Sequence, residues 1–284
     1  MSRGSVLITG AGSGIGRAAA VALKARGWRV LAAPRRAEDV PGLEGEGLDA
    51  FALDQADPAS VEAGAAEALA RTEGRLDAVI LNGAYALPAP LEDVPRAALE
   101  AVMQANLLGP HDLTRRLLPA MRANGGGRIV AVSSVFGLLS LRYRAPYNVT
   151  KYALEAWADA LRRELAAEER PGGEWSVSLV EPGPVRTPFR AKSLARLRDH
   201  VDPGASAWTR AWAEKIMPRL TAEDPPRLAW YERTTEATTR AFRHALESPR
   251  PKARYLVTPA AWIVAGAVRA LPTRALDRLF RGDV

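Results

Sequence analysis

Tyr147 and Lys151, in the stretch Pro146-Tyr147-Asn148-Val149-Thr150-Lys151, have the spacing that puts an acid and a cation side by side on a helix. Residues four apart on a helix are neighbours. A phenol ordinarily titrates near pH ~10, and an ammonium beside it favours the phenolate and lowers that value toward the working range of a general acid or base. Such a tyrosine can exchange a proton with a substrate oxygen. Tyr143, the rival phenol, has Tyr147 rather than a lysine four positions on. Upstream, Ser133-Ser134 ends the apolar run Arg128-Ile129-Val130-Ala131-Val132, which reads as a buried strand. Near the start of the chain, Ser5-Val6-Leu7-Ile8-Thr9 reads as another strand. It feeds Gly10-Ala11-Gly12-Ser13-Gly14-Ile15-Gly16 and then a helix-forming run from Arg17 to Leu23. A strand, a glycine turn and a helix N-terminus together make a phosphate site, because backbone amides face the anion and missing side chains let a pyrophosphate come close. The common Gly-x-Gly-x-x-Gly spacing would put its third glycine on Ile15. The spacing present is Gly10-x-x-x-Gly14-x-Gly16.

These residues need a frame, and the rest of the sequence supplies one. Further strand-like runs are Trp28–Ala33, Leu48–Leu53, Leu76–Leu81, Trp175–Val180 and Arg254–Val257, separated by Ala-rich helical stretches. This alternation predicts an α/β fold, a doubly wound parallel sheet of seven strands with helices on both faces. In such a sheet ligands bind at the C-terminal ends of the strands. That is where Gly10 to Gly16, Asp54, Asn82, Ser134 and the segment from Pro182 to Thr187 are expected to fall. Gly125-Gly126-Gly127 and Pro171-Gly172-Gly173 read as loop punctuation. The chain is expected to form one domain over residues 1–284, with a substrate-covering lid over 188–250 and a helical extension over 259–284.

Composition narrows the function classes. The chain has 284 residues, 48% hydrophobic and 25% charged, which suits one large domain with its own core. It contains no cysteine, so a disulfide framework, a thiol nucleophile and thiolate metal sites are excluded, and a reducing, cytoplasmic setting is expected. The three histidines, His111, His200 and His244, lie far apart, and no metal site is predicted. Neither a signal peptide nor a membrane-spanning run is expected. The net charge of +7 is concentrated at the end, where seven basic residues stand against two acidic ones after residue 249. No nucleic-acid-binding motif accompanies them, and nucleic acid is not an expected partner. The apolar run Ala260 to Val268, followed by Arg269, fits a helix lying in an anionic membrane surface. It fits better a helix packed on its own domain or on a second subunit, with solvated arginines outside.

Thr9-Gly10-x-x-x-Gly14-x-Gly16, together with Ser134, Tyr147 and Lys151, resembles the short-chain dehydrogenase/reductase family over roughly residues 4 to 190 and again near Arg254 to Val257. The resemblance implies a Rossmann-type fold and hydride transfer between a nicotinamide cofactor and an alcohol or ketone. It implies Ser134 on the substrate oxygen, Tyr147 as general acid or base, Lys151 as the group that lowers the tyrosine pKa and holds the nicotinamide ribose, and Asn106 as the member that positions a relay water. The family's usual thirteen-residue spacing selects Ser134 over Ser133. By the same resemblance Thr9, Gly10, Ser13, Gly14, Ile15 and Gly16 cradle the pyrophosphate, Asp54 bonds the adenine, and Asn82 and Gly83 lie beside the adenine ribose. Pro182, Gly183, Val185 and Thr187 grip the carboxamide. The family's Asn-Asn-Ala-Gly segment is here Leu81-Asn82-Gly83-Ala84, a departure that touches none of the proton-transfer residues. A dimer or tetramer is the usual family assembly.

Two specificities follow from particular residues. After the second strand, where a carboxylate would select NAD, the chain has Ala33-Pro34-Arg35-Arg36. Forked donors from Arg35 and Arg36 suit a 2′-phosphate, which predicts NADP(H). Between 188 and 250 the sequence is rich in large apolar residues, including Phe189, Leu194, Leu197, Trp208, Trp212, Ile216, Met217 and Trp230. These either line a pocket for a lipophilic alcohol or ketone, such as a steroid, retinoid or acyl carbonyl, or fill the core of the lid itself. A catalytically silent NADP(H) sensor, or a protein that presents its basic tail to a membrane or partner, is the alternative.

Overall fold

A computed structural model describes residues 3–167, 174–223 and 227–282. Pro171-Gly172-Gly173 lies outside the described residues. Seven parallel strands are β1 (Ser5–Thr9), β2 (Arg29–Ala33), β3 (Asp49–Ala50), β4 (Ala78–Leu81), β5 (Gly126–Val132), β6 (Glu174–Glu181) and β7 (Arg254–Leu256). Their order is β3-β2-β1-β4-β5-β6-β7. The chain leaves β3 at one edge and crosses back to β4 beside β1, which opens a crevice at the C-terminal ends of those two strands.

The long helices are α1 (Gly14–Lys24), α2 (Val40–Gly45), α3 (Pro58–Arg71), α4 (Arg96–Met103), α5 (Gly109–Ala123) and α6 (Ala145–Ala166). They are followed by α7 (Phe189–His200), α8 (Thr209–Ala211), α9 (Met217–Thr221), α10 (Thr235–Glu247), α11 (Pro259–Ala270) and α12 (Thr273–Leu279). Side chains alternate across a strand, so β1 feeds two cores. Val6 and Ile8 pack with Ala19, Ala20 and Leu23 of α1 and Phe242 of α10. Leu7 packs on the other face with Val61 of α3, Leu113 and Leu117 of α5, and Leu154 of α6. Burying β1 on both faces fixes the glycine turn that follows it.

Two expectations are corrected. Gly126 and Gly127 do not form a loop but begin β5, in register with Glu174 and Trp175. Gly126 has φ 102°, and a Cβ there would lie 2.8 Å from the Glu174 carbonyl oxygen, so glycine permits a close approach of backbones within the sheet. The third strand is shorter than its apolar run. Beyond Ala50 the chain stays bonded to its neighbour, Phe51 N–H to Ala32 O and Leu53 N–H to Pro34 O, but turns off toward Asp54. No helix among the described residues is long and apolar enough to cross a membrane.

Candidate active site

The glycine turn is shaped by positive backbone angles. Gly10 has φ 65° and Gly14 φ 55°, both in the region that glycine enters without steric cost. A Cβ on Gly16 would lie 2.5 Å from the Gly10 carbonyl oxygen. Ser13 is the N-cap of α1, yet its side chain makes no capping bond, so the first amides of that helix remain available to an anion. Thr9 and Asn82 lock the turn to the crevice. The Thr9 hydroxyl accepts from the amides of Asn82 (3.0 Å) and Gly83 (3.1 Å), and Asn82 Nδ2 donates to the carbonyls of Thr9 (3.1 Å) and Gly10 (3.3 Å). Thus the departing segment Leu81–Ala84 still braces the sheet. Gly10 must be glycine there, because a Cβ on it would lie 2.7 Å from the Cα of Gly83. A Cβ on Gly83 itself would run into the Gln55 side-chain oxygen, which is buried and bonded to nothing among the described residues. Ile15 is half-buried against the sheet core, and Asp54 is held in a local turn in which its carboxylate accepts from Ala56 N–H.

At the other end of the crevice, Ser134, Tyr147 and Lys151 converge. Ser134 caps the short turn after β5, accepting from Phe136 N–H at 3.2 Å, and its hydroxyl reaches the Pro182 carbonyl at 3.4 Å. Tyr147 and Lys151 occupy the first two turns of α6, whose Pro146 sits in the opening turn where a missing N–H costs nothing. Tyr147 is buried beside Ser134, with the ring of Phe136 at 6.2 Å and that of Phe189 at 5.6 Å. Lys151 Nζ donates to the Val132 carbonyl at 2.7 Å and stands over the Tyr147 ring, 5.4 Å from its centroid. Asn106 lies in a single π-turn, Gln104–Leu108, between α4 and α5. Its amide donates to Tyr85 O (2.9 Å) and to the Thr150 hydroxyl (3.1 Å), which in turn donates to the Tyr147 carbonyl. The structure therefore brings Asn106, Ser134, Tyr147 and Lys151 to one place. Gly183 packs under Thr258, Val185 pairs with Arg233, and Thr187 contacts Gly14, so the loop after β6 spans the two ends of the crevice.

The electrostatics correct one expectation. The lysine does not lower the tyrosine pKa in this arrangement. Burial pushes the phenol up from its ordinary value, and the nearby Ser134 hydroxyl opposes it only in part. Burial also brings Lys151 down to about 8, with the Glu155 carboxylate, one turn further on, working against the fall. The ammonium stands over the Tyr147 ring and on the Val132 carbonyl, and both groups sit away from water, so desolvation is the largest influence on each. Tyr147 is set as a proton donor.

Sequence reasoning missed Lys192 and Glu155. Lys192, on α7, donates to the Ser13 hydroxyl in the glycine turn and stands near Arg35, Arg36 and Asp39. Arg36 is engaged by Asp39 at 3.0 Å and by Glu38 at 2.7 Å. Glu155 is buried, accepts from Arg254 and shares that guanidinium with Glu181, whose pKa is raised by burial and by Glu155. The eight-residue spacing of Tyr147, Lys151 and Glu155 on one helical face was the available signal for Glu155; Lys192 had none. The apolar lid residues divide. Leu197, Trp212 and Ile216 are buried in a third core with Leu87, Ala89 and Val102, and Leu194 and Met217 pack against it. Trp208 and Trp230 are exposed, and Phe189 alone of the eight meets Tyr147.

Comparison with known proteins agrees with this geometry. The short chain dehydrogenase family profile matches residues 5–197. Over 278 residues, 98% of this chain and 94% of the relative, the sequence is 41% identical to the uncharacterized oxidoreductase YbbO of Escherichia coli. It is 29% identical to an NADPH-dependent 3-dehydrocapnine reductase of Ornithobacterium rhinotracheale, covering 98% of this chain and 96% of that one. It is 32% identical to human retinol dehydrogenase 16, covering 96% and 86%. A seven-stranded parallel sheet, a glycine turn after its first strand and a Ser–Tyr–Lys constellation at the far end of the same crevice accordingly place this chain in the short-chain dehydrogenase/reductase family of oxidoreductases.

Proposed function

We propose that this chain interconverts a lipophilic secondary alcohol and its ketone with NADP(H). The observation that carries the reading is Tyr147, its ring between those of Phe136 and Phe189, beside Ser134 and one helical turn from Lys151. When bound, the nicotinamide supplies or accepts the hydride. The chain's own groups orient the substrate and handle the proton. Ser134 donates to the substrate oxygen and fixes its distance from the phenol. Tyr147 delivers its proton to that oxygen in reduction and takes it back in oxidation, and its raised pKa suits it to the first of these. Lys151 would hold the ribose hydroxyls and stands one helical turn from the tyrosine that gives up its proton in reduction. Asn106, fixed by Tyr85 and Thr150, carries the relay water that returns the proton.

The residues fit a dinucleotide: the glycine turn holds Gly10 and Gly14 at positive φ, and the helix behind it has an uncapped N-terminus. Thr9 to Gly16, Asp54, Asn82 and Gly83 would serve the pyrophosphate and adenosine half. Pro182, Gly183, Val185 and Thr187 would serve the carboxamide. Arg35 and Lys192, with Arg36 held by Asp39 and Glu38 beside them, would serve a 2′-phosphate, and the NADPH dependence of the 3-dehydrocapnine reductase supports the same preference. Retinol dehydrogenase 16 acts, by its name, on a lipophilic alcohol, which supports the substrate class, and the helices from α7 to α9 form the lid over it. The exposed Trp262 and Ile263 on α11, beside basic α12, support a peripheral membrane contact or a second subunit as partner. Work in the cytoplasm is consistent with this reading.

Tryptophan fluorescence titration with NADPH and NADH tests it. NADPH is expected to bind more tightly, and Arg35→Ala to weaken NADPH by about tenfold or more, as loss of a charged hydrogen bond of ~1.5–3 kcal/mol requires, with NADH little changed. An Arg35→Ala protein that binds NADPH as the wild type does would remove the cofactor assignment.

A further inference from the structure

Asp39 ends the short turn Ala37–Asp39 after β2 and is the N-cap residue of α2. An aspartate in that position ordinarily caps the helix with its own side chain, but this carboxylate makes no capping bond. It turns back instead, accepting from Arg36 Nη2 at 3.0 Å and from Arg36 Nε at 3.2 Å in a forked pair. It also lies against the glycine turn. A Cβ on Gly12 would stand 3.1 Å from Asp39 Oδ2 and 3.3 Å from Pro34 Cβ, and the Ala11 N–H donates to the Ala33 carbonyl at 3.2 Å. The carboxylate therefore sits between the glycine turn and the end of β2, the place where a Rossmann-type fold reads the adenine ribose.

Cations face it from three elements. Arg36 touches it from its own turn, and Lys192 and Arg35 act on it through space. Ser13, next to Gly12, accepts from Lys192 Nζ, so the lid helix α7 brings its charge to the same spot. The Arg36 hydrogen bonds hold the Asp39 carboxyl below the usual carboxylate range, with Lys192 and Arg35 adding to the effect, and the group is an anion at neutral pH. A 2′-phosphate entering here meets cations that already have a negative partner. Phosphate and carboxylate repel each other, so the phosphate gains Arg36 only as Asp39 loses it. Glu38 pairs with Arg36 too, at 2.7 Å, but its side chain is 69% exposed against 29% for Asp39, and Asp39 is the one packed on the glycine turn.

From this geometry we propose that Asp39 sets the strength of the cofactor preference: its carboxylate competes with the 2′-phosphate for Arg36, which holds the affinity for NADP(H) below what the surrounding cations would give and leaves NAD(H), with no such phosphate, unaffected. The proposal rests on the reading of the site as one for NADP(H) and adds the residue that limits it. The contrary role, in which Asp39 orients Arg36 toward the phosphate, has the opposite sign: removing the carboxylate would then weaken the nucleotide.

Calorimetric titration of the full chain with adenosine 2′,5′-bisphosphate and with 5′-AMP, which differ only in the 2′-phosphate, decides it. Asp39→Asn is expected to tighten the bisphosphate about fivefold or more, as freeing a charged hydrogen bond at a half-exposed site allows, and to leave 5′-AMP within about twofold. Glu38→Gln, which removes the same charge from the same arginine away from the glycine turn, is expected to move either ligand by less than about twofold. The proposal is overturned if Asp39→Asn leaves the bisphosphate unchanged or weakens it, if it tightens 5′-AMP equally, or if Glu38→Gln matches it. A wild type that holds 5′-AMP more tightly than the bisphosphate would overturn the NADP(H) preference alone, since the Asp39→Asn comparison still reads the competition. Binding of neither ligand by either protein would overturn both.

Discussion

From Gly10 to Gly16 the chain is positioned by its own backbone: two positive φ angles, a helix N-terminus, and hydrogen bonds from Thr9 and Asn82 whose partners are main-chain groups. From Phe189 to Thr221 the chain is positioned by side chains instead. Leu197, Trp212, Ile216 and Leu220 bury themselves against Leu87, Ala98 and Val102, and Asp93 receives the indole N–H of Trp212 at 2.8 Å. A backbone-built site admits few substitutions, since a single methyl meets a carbonyl. A side-chain-built lid can be repacked if its volume is kept. The molecule thus has a stringent end, which the proposed function gives to the cofactor, and an adaptable end, which it gives to the substrate.

Tyr147 stands where the two regions meet, and its loss is expected to have the largest effect. Tyr147→Phe should lower kcat by about 10²- to 10⁴-fold, the range for removing a general acid, while NADPH titrates as in the wild type; a fall below tenfold would take the proton from another group. Trp212→Ala should remove ~3–5 kcal/mol of packing from the lid. The KM for a ketone should rise and α7 to α9 should become sensitive to protease, with NADPH affinity little changed. Gly16→Ala should do the reverse at a cost of ~1–3 kcal/mol for overpacking, weakening NADPH with little change in ketone KM. If both variants shift both constants equally, the separation of the two ends is wrong.

The smallest expected effect is a shift in pH dependence. Lys151 must be charged to favour the phenolate left by reduction, and its pKa is brought down to about 8. Reduction should therefore be full below that pH and fall as pH rises through it. Glu155 raises the lysine pKa, so Glu155→Gln should move this alkaline limb to lower pH. An unmoved limb would show that another group sets it.

How legible each end was in the sequence follows the same division. Backbone devices are written locally, as glycine spacing, as proline in a first turn and as alternation within a strand. That is why β1, the glycine turn and the Tyr147–Lys151 face were each readable from fewer than a dozen consecutive residues. The start of β5 was misread because glycine signals loops and close strand contacts alike, and only the neighbouring Glu174 backbone decides between them. Lid contacts are written nonlocally. Lys192 and Ser13 are 179 positions apart, and no local pattern pairs them. Whether Trp212 lines a pocket or fills a core depends on Leu87 and Val102, two elements away. The sign of the tyrosine shift was unreadable for a related reason, since helical spacing shows proximity but not burial.

Gln55 is clasped between two glycines, and the two sides of the clasp differ in stiffness. A methyl at position 83 would meet the side-chain oxygen, the end of a flexible chain that is unbonded among the described residues and can turn aside, whereas one at position 109 would meet the fixed backbone carbonyl of the same residue. The crevice therefore tolerates enlargement on the side of the turn after β4 far better than at the start of α5.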